Sequence, residues 1–223
     1  MSELTQRPAE AASAAARSPR SLPPTLYVSD VAGSTVTPIA TATNTPGQPI
    51  QVGQAPGSIV ITPDGRTAYV VNTTHPYDRT GTMTPIATAT NTPGPPIEVG
   101  NGPMAIAITP DGETAYVANS GYGDPSDTVT PIATATNTPG PPIQVGSTPW
   151  ALAITPDGQA VYVVNSHSGT VTLIATATHT PGPPIQVGEG PRAIAITPDG
   201  KTAYVANWKP GTVAERSGQA SHR

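Results

Sequence analysis

Cysteine and phenylalanine are both absent from the 223 residues, and only 11 % of positions carry charge. Without cysteine there is no disulfide framework and no thiolate metal or redox centre, and the redox compartment is left open. With aromatics at 4 % and apolar residues at 36 %, bulky side chains are too scarce for a thick core. Thin, closely packed β layers of Ala, Val and Ile fit that supply. A formal net charge of −4 lacks the basic footprint that nucleic-acid binding requires. No apolar run approaches the roughly 20 residues of a membrane-crossing helix, so no membrane span is expected.

What is present is repetition. Pro-Asp-Gly begins at Pro63, Pro110, Pro156 and Pro198, in steps of 47, 46 and 42 residues. The phrase TPG-x-PI-x-VG ends at Gly53, Gly100, Gly146 and Gly188 in the same steps. Tyr-Val-x-Asn begins at Tyr69, Tyr116, Tyr162 and Tyr204, and Tyr27 opens a further copy reading Tyr-Val-Ser-Asp. A period of about 40 to 50 residues marks a repeat architecture. Glycine (22) and proline (29) are abundant, but they sit at fixed places in the period and punctuate it.

Each repeat resolves into four strand-like pieces. Piece A (58–62, 105–109, 151–155, 193–197) is a short apolar run ending at Pro-Asp-Gly, which predicts strands covered on both faces. Pro-Asp-Gly fixes φ at Pro, lets Asp bond forward, and puts Gly where φ is positive, giving a tight two-to-three-residue link. Piece B (25–30, 67–72, 114–119, 160–165, 202–207) completes an antiparallel hairpin. Piece C (35–39, 82–86, 128–132, 170–174) carries Pro38, Pro85 and Pro131, where pairing is expected to stop or bulge. Piece D (50–53, 97–100, 143–146, 185–188) follows Pro-rich turns and reads as a sheet edge. Four antiparallel strands in up-and-down order make one propeller blade, so the fold class is all-β, a β-propeller of about four blades.

Those phrases, TAYVAN, GTV-T-PI-A-TATNT, PI-x-VG and P-x-AIAITPDG, resemble the YVTN-family β-propeller repeat over residues 25–213. Two departures stand out. The family usually places an acid after the Ile of its third strand, where this chain has Ala40, Ala87, Ala133 and Ala175. Its rings are also generally larger. The chain enters at piece B, so two arrangements stay open. Ala193–Thr197 supplies the missing inner strand of the first blade and closes a small ring, or the blades form a partial arc that a second copy completes. Gly211–Val213 reads as the start of a fifth C piece. Residues 1–24 are expected to be a disordered leader whose AASAAA run is too short for a secretory signal, and 214–223 a disordered tail. That leaves a cytoplasmic default, against the cell-surface setting that the resemblance implies.

In an up-and-down blade the A–B and C–D links share one side of the disc, and the B–C and D–A links the other. The first side is monotonous; the second varies from copy to copy, and rigid scaffolds carry function on the loops that differ. Ligand binding is therefore expected among His75, Tyr77, Asp78, Arg79, Tyr122, Asp124, Trp150, His167, Arg192 and Trp208, with a protein or carbohydrate as partner. The competing reading leaves these loops unconstrained, with Trp150 and Trp208 filling space between blades. His75, His167, His179 and His222 have no metal-ligand spacing and read as solvated. Asp64, Asp111, Asp157 and Asp199 read as turn formers, and the Asn of each Tyr-Val-x-Asn as an αL or turn-capping residue. Asp124 and Asp127 fall short of the six or more oxygens of a calcium site. No metal, cofactor or catalytic residue is assigned: no nucleophile–base pair, phosphate loop or zinc pair is visible. The leading expectation is a non-enzymatic binding module. The rivals are an enzyme, since related propellers include lactonase-like and haem-reductase-like domains, and a truncated propeller without independent activity.

Overall fold

A computed structural model describes residues 25–73, 81–121, 127–209 and 213–217. The described residues form five antiparallel sheets and no helix. The first sheet holds β1 (Thr25–Asp30), β2 (Thr35–Ala40), β3 (Thr45–Pro46) and β4 (Ile50–Gln51). The second holds β5 (Pro56–Ile61), β6 (Thr67–Asn72), β7 (Gly81–Ala87), β8 (Thr92–Pro93) and β9 (Ile97–Val99). The third repeats it with β10 (Pro103–Ile108), β11 (Thr114–Asn119), β12 (Thr128–Ala133), β13 (Thr138–Pro139) and β14 (Ile143–Gln144). The fourth has β15 (Pro149–Ile154), β16 (Ala160–Asn165), β17 (Thr170–Ala175), β18 (Thr180–Pro181) and β19 (Ile185–Gln186). The last has β20 (Glu189–Ile196), β21 (Thr202–Lys209) and β22 (Val213–Ser217).

The molecule is an all-β propeller, and of the two arrangements left open by the sequence the described residues do not form the closed ring. The strand containing Ala193–Ile196 pairs with β21 in its own sheet and not with β1. Inner strands pack in succession, β5 on β10, β10 on β15 and β15 on β20, with β1 against β5. Among the described residues no comparable contact joins the last sheet to the first. Among the described residues the sheets follow one another as an open arc, three five-stranded ones between a four-stranded first sheet and a three-stranded last one. The fifth C piece exists as β22 and runs to Ser217, past the boundary expected at residue 213.

The prolines act elsewhere than expected. Pairing between β1 and β2 runs unbroken through Tyr27↔Pro38, and between β6 and β7 through Tyr69↔Pro85. An antiparallel strand turns its polar groups alternately to either neighbour. Pro38 turns its carbonyl outward to accept from the Gly47 amide at 2.7 Å, so its missing N–H falls on the outer side. There the outer strand is split into two short pieces (β3 and β4, for example) that both pair β2. The fourth sheet, with Leu173 in place of proline, is split in the same way. The Pro-Gly-x-Pro segment of the outer strand is thus what interrupts it.

The Pro-Asp-Gly link is longer than a two-to-three-residue hairpin. Thr62 and Thr67 close it through an amide–carbonyl bond of 2.9 Å, and Gly65 sits at φ 72°. Asp64 accepts from the Thr62 hydroxyl at 2.6 Å and the Arg66 amide at 3.0 Å.

Coverage on both faces belongs to the second strands. Ala68, Val70 and Ile86 meet the preceding sheet, while Tyr69, Val71 and Met83 meet the following one. The inner strands are only half-buried along most of their length. Each intersheet seam is a small core of Val, Ile, Ala and Tyr, and a fully buried Val or Ile contributes about 1.5–3 kcal/mol. The Asn of Tyr-Val-x-Asn is buried in the strand and caps no turn. Asn72 donates to the Thr82 and Thr84 hydroxyls at 3.1 and 2.9 Å, and Asn119 and Asn165 repeat this with Thr128/Thr130 and Thr170/Thr172. The αL positions are taken by Asn44, Asn91, Asn137 and His179 of the C–D turns. No helix among the described residues is long and apolar enough to cross a membrane.

Candidate functional site

On the B–C/D–A side of the last two sheets, a local irregularity gathers three of the variable residues. Pairing of β15 with β16 shifts register between Pro149 and Ala151, and pairing of β20 with β21 shifts between Pro191 and Ala193. Trp150 and Arg192 are the extra residues at these two bulges. A bulge re-aims the side chain it carries, so both leave the ladder at equivalent positions of adjacent sheets. Proline before each supports the irregularity, because it donates nothing to the ladder.

The last hairpin also extends further than its counterparts. Glu189 pairs with Lys209, beyond the Pro191↔Asn207 pair that corresponds to the end of the earlier ladders. Trp208 therefore lies in a strand and not in the loop where its WKPG phrase places it. Gly190, at φ 61°, lies beneath it; a Cβ there would meet the Trp208 Cβ at 3.6 Å.

The Arg192 guanidinium carbon lies 3.9 Å from the Trp208 ring centroid and 4.8 Å from that of Trp150. One cation thus engages two indoles. Each such contact is worth about 0.5–1 kcal/mol at an exposed site. Trp208 remains 61 % exposed, so it does not fill space between blades as the competing reading holds. Among the described residues no carboxylate lies within ion-pair distance of Arg192; the one ion pair is Arg66–Asp64, at 3.7 Å and exposed.

Arg192 and Trp208 line a groove of about 820 Å³ together with His167, Ser168, Gln186 and Glu189. The His167 turn is pinned from below. The amides of Ser166 and His167 donate to the carbonyls of Thr148 and Ser147 at 2.8 and 3.1 Å. The Ser168 hydroxyl accepts from the Ser147 amide at 3.1 Å. Gly169, at φ 66°, has the Gly188 carbonyl so close that a Cβ would meet it at 2.7 Å. The imidazole of His167 is thereby offered on a rigid turn at the groove.

Of the ten residues that sequence placed on this side, Trp150, His167, Arg192 and Trp208 come together here. His75, Tyr77, Asp78, Arg79, Tyr122 and Asp124 lie outside the described residues. On the opposite side, Asp64, Asp111, Tyr69 and Thr134 border a smaller cleft of about 230 Å³. Its carboxylates are committed to their turns. The Thr109 hydroxyl, then the Glu113 amide, holds Asp111 below the usual carboxylate range, as Thr62 and Arg66 do for Asp64. Among the described residues no three of His, Asp and Glu gather as a metal set.

Sequence reasoning missed His179. The side chain is exposed as expected, yet its Nδ1 lies 3.1 Å from the Tyr116 hydroxyl of the preceding sheet, with the rings 5.8 Å apart. The available signal was its place in TATHTPG, where the other copies have Asn.

Residues 41–183 match the family model described as Lactonase, 7-bladed beta-propeller. Hydrazine synthase from Kuenenia stuttgartiensis is similar in structure, with a TM-score of 0.78 at 26 % identity over 88 % of this chain and 60 % of that chain. A functionally unknown protein from Desulfotomaculum acetoxidans DSM 771 follows the same fold with a TM-score of 0.66 at 23 % identity, over 81 % of this chain and 62 % of that one. The chain thus spans less than two thirds of either structure. No curated protein matches it.

Proposed function

The chain belongs to the lactonase family of seven-bladed β-propellers, and on that scaffold we propose that it acts as a ligand-binding module through the groove beside Arg192. A propeller hosts many unrelated functions, so the site and not the fold has to carry the reading. The observation that carries it is the guanidinium held by two indoles at the edge of a roomy, rigidly based groove. Exposed aromatic surface next to convergent polar groups is what small-ligand sites present. The chain's two tryptophans, Trp150 and Trp208, both sit at this place, so intrinsic fluorescence reports on it directly. Titration of the protein with panels of oligosaccharides and short peptides is expected to give a saturable change in that signal for a member of one panel. Trp208→Ala is expected to abolish binding while leaving the β-sheet circular dichroism intact. Failure of every member of both panels to bind, measured also by calorimetry, overturns the reading.

A second reading, lactone hydrolysis, is favoured by the family match across residues 41–183. Proton release from a panel of γ- and δ-lactones, followed at constant pH with and without added divalent metal, tests it. Catalysed release above the buffer rate supports this reading, and its absence with every lactone counts against it.

A further inference from the structure

The geometry points to the Arg192 groove as a carboxylate-binding site, a step that rests on the binding function proposed above and names its ligand chemistry. The Arg192 guanidinium carbon lies over both indole rings; in the proposed site the rings engage the faces of the guanidinium, while its five N–H donors radiate in its plane. Arg192 is exposed, lines the groove, and has no carboxylate partner within 4 Å among the described residues. Its donor edge is therefore available, and its orientation is limited by Trp150 and Trp208 before any ligand arrives. Preorganisation of this kind removes part of the ordering cost of binding.

The flat rings also discriminate among anions. A carboxylate lies in the guanidinium plane and accepts two parallel N–H bonds. A tetrahedral phosphate keeps oxygens out of that plane, toward the indoles. A planar carboxylate is thus the better fit. Gln186 lines the same groove and offers a neutral hydrogen-bonding group to the remainder of the ligand, whereas the Ser168 hydroxyl is engaged with the Ser147 amide and the Thr170 hydroxyl. Glu189 lines the groove too and opposes an anion, so its charge should weaken binding.

The test uses the intact protein and tryptophan fluorescence, with calorimetry as an independent readout. The probes are succinate and glucuronate, their neutral counterparts succinamide and glucose, and inorganic phosphate. Saturable binding of succinate or glucuronate, with weaker binding of the neutral counterparts and of phosphate, is expected. Arg192→Gln should weaken binding of the acid probe about 10- to 100-fold, the loss of a charge-assisted pair. Arg192→Lys should fall between, keeping charge without the planar fork, and Glu189→Gln should bind more tightly than the unmodified protein. Unchanged melting temperatures show that these variants remain folded. Equal binding of acid and neutral probes, or an Arg192→Gln variant that binds like the unmodified protein, overturns the carboxylate assignment while leaving a ligand-binding groove in place. Phosphate binding as tight as that of the acids overturns the planar selectivity. No binding of any probe overturns the assignment too, and the oligosaccharide and peptide panels then judge the broader reading separately.

Discussion

The phenol of Tyr69 donates to the Asn137 side-chain oxygen at 2.7 Å, across 68 residues of chain and from one sheet to the next. Tyr27 does the same to Asn91 at 2.7 Å, and Tyr116 meets His179. The first three sheets are thereby each hooked to the αL turn of the next. Asn tolerates that backbone conformation and offers an acceptor. Tyr69→Phe removes the hook without changing the packed ring, and is expected to cost about 0.5–1.5 kcal/mol. Chemical denaturation of Tyr69→Phe, with Asn137→Ala and the double variant, checks it. Strictly additive losses would show that the two groups do not interact.

The glycine ending each PI-x-VG phrase has a different partner. A Cβ on Gly100 would stand 2.6 Å from the Asn119 side-chain amide carbon, inside any real contact distance. Asn119 in turn is held by the hydroxyls of Thr128 and Thr130. Gly100→Ala must push this buried amide off its partners, with an expected loss of about 1–3 kcal/mol. The matching measurement is the denaturation midpoint, and a loss below about 0.5 kcal/mol would contradict the packing described.

Identical residues at one repeat position should differ in value. Val70, in the second sheet, is fully buried, whereas Val28, its counterpart in the first, is 45 % exposed. Val70→Ala is expected to cost about 1–3 kcal/mol. Val28→Ala, on a face against which no sheet packs among the described residues, should stay within about 0.5 kcal/mol. Paired melting curves decide between them.

Stability should also fail at both ends of the pH scale. Burial, aided by the charge of Asp111, pushes the Tyr116 hydroxyl up from 10.0 to about 12. A folded-state pKa above the unfolded one makes stability fully present below pH 10 and lost as pH rises through about 12. Asp64, Asp111, Asp157 and Asp199 are shifted the other way, first by a threonine hydroxyl and then by a backbone amide. Their contribution is complete above the ordinary aspartate value of 3.8 and declines as pH falls below it. Tyrosinate absorbance and circular dichroism, followed together, should show Tyr116 ionising only as the sheets are lost. Ionisation of Tyr116 near pH 10 with the sheets intact would contradict the burial.

Much of this architecture was legible in sequence because it is local and repeated. Pro-Asp-Gly dictates its own turn through φ at Pro, the Asp acceptor and the left-handed Gly. The β-forming Thr and Val runs between such turns leave little choice but strands, and phrases recurring in register announce one blade after another. The loop face was legible as well, because the variable residues lie between invariant phrases, and Trp150, His167, Arg192 and Trp208 were all named from that alone.

What sequence could not supply was adjacency across sheets. A strand carries the same Val whether a neighbour covers it or solvent does, so Val28 and Val70 look alike until packing separates them. Ring or arc was undecidable for the same reason: Ala193–Ile196 has equal local fitness for either partner, and only the contiguous ladder with β21 selects one. The clamp on Arg192 joins side chains from three strands in two sheets, two of them aimed by bulges and the third lifted by an extended hairpin. Local propensity dictated each element, but the registers that bring these elements together are set by nonlocal contacts, which only the folded arrangement contains.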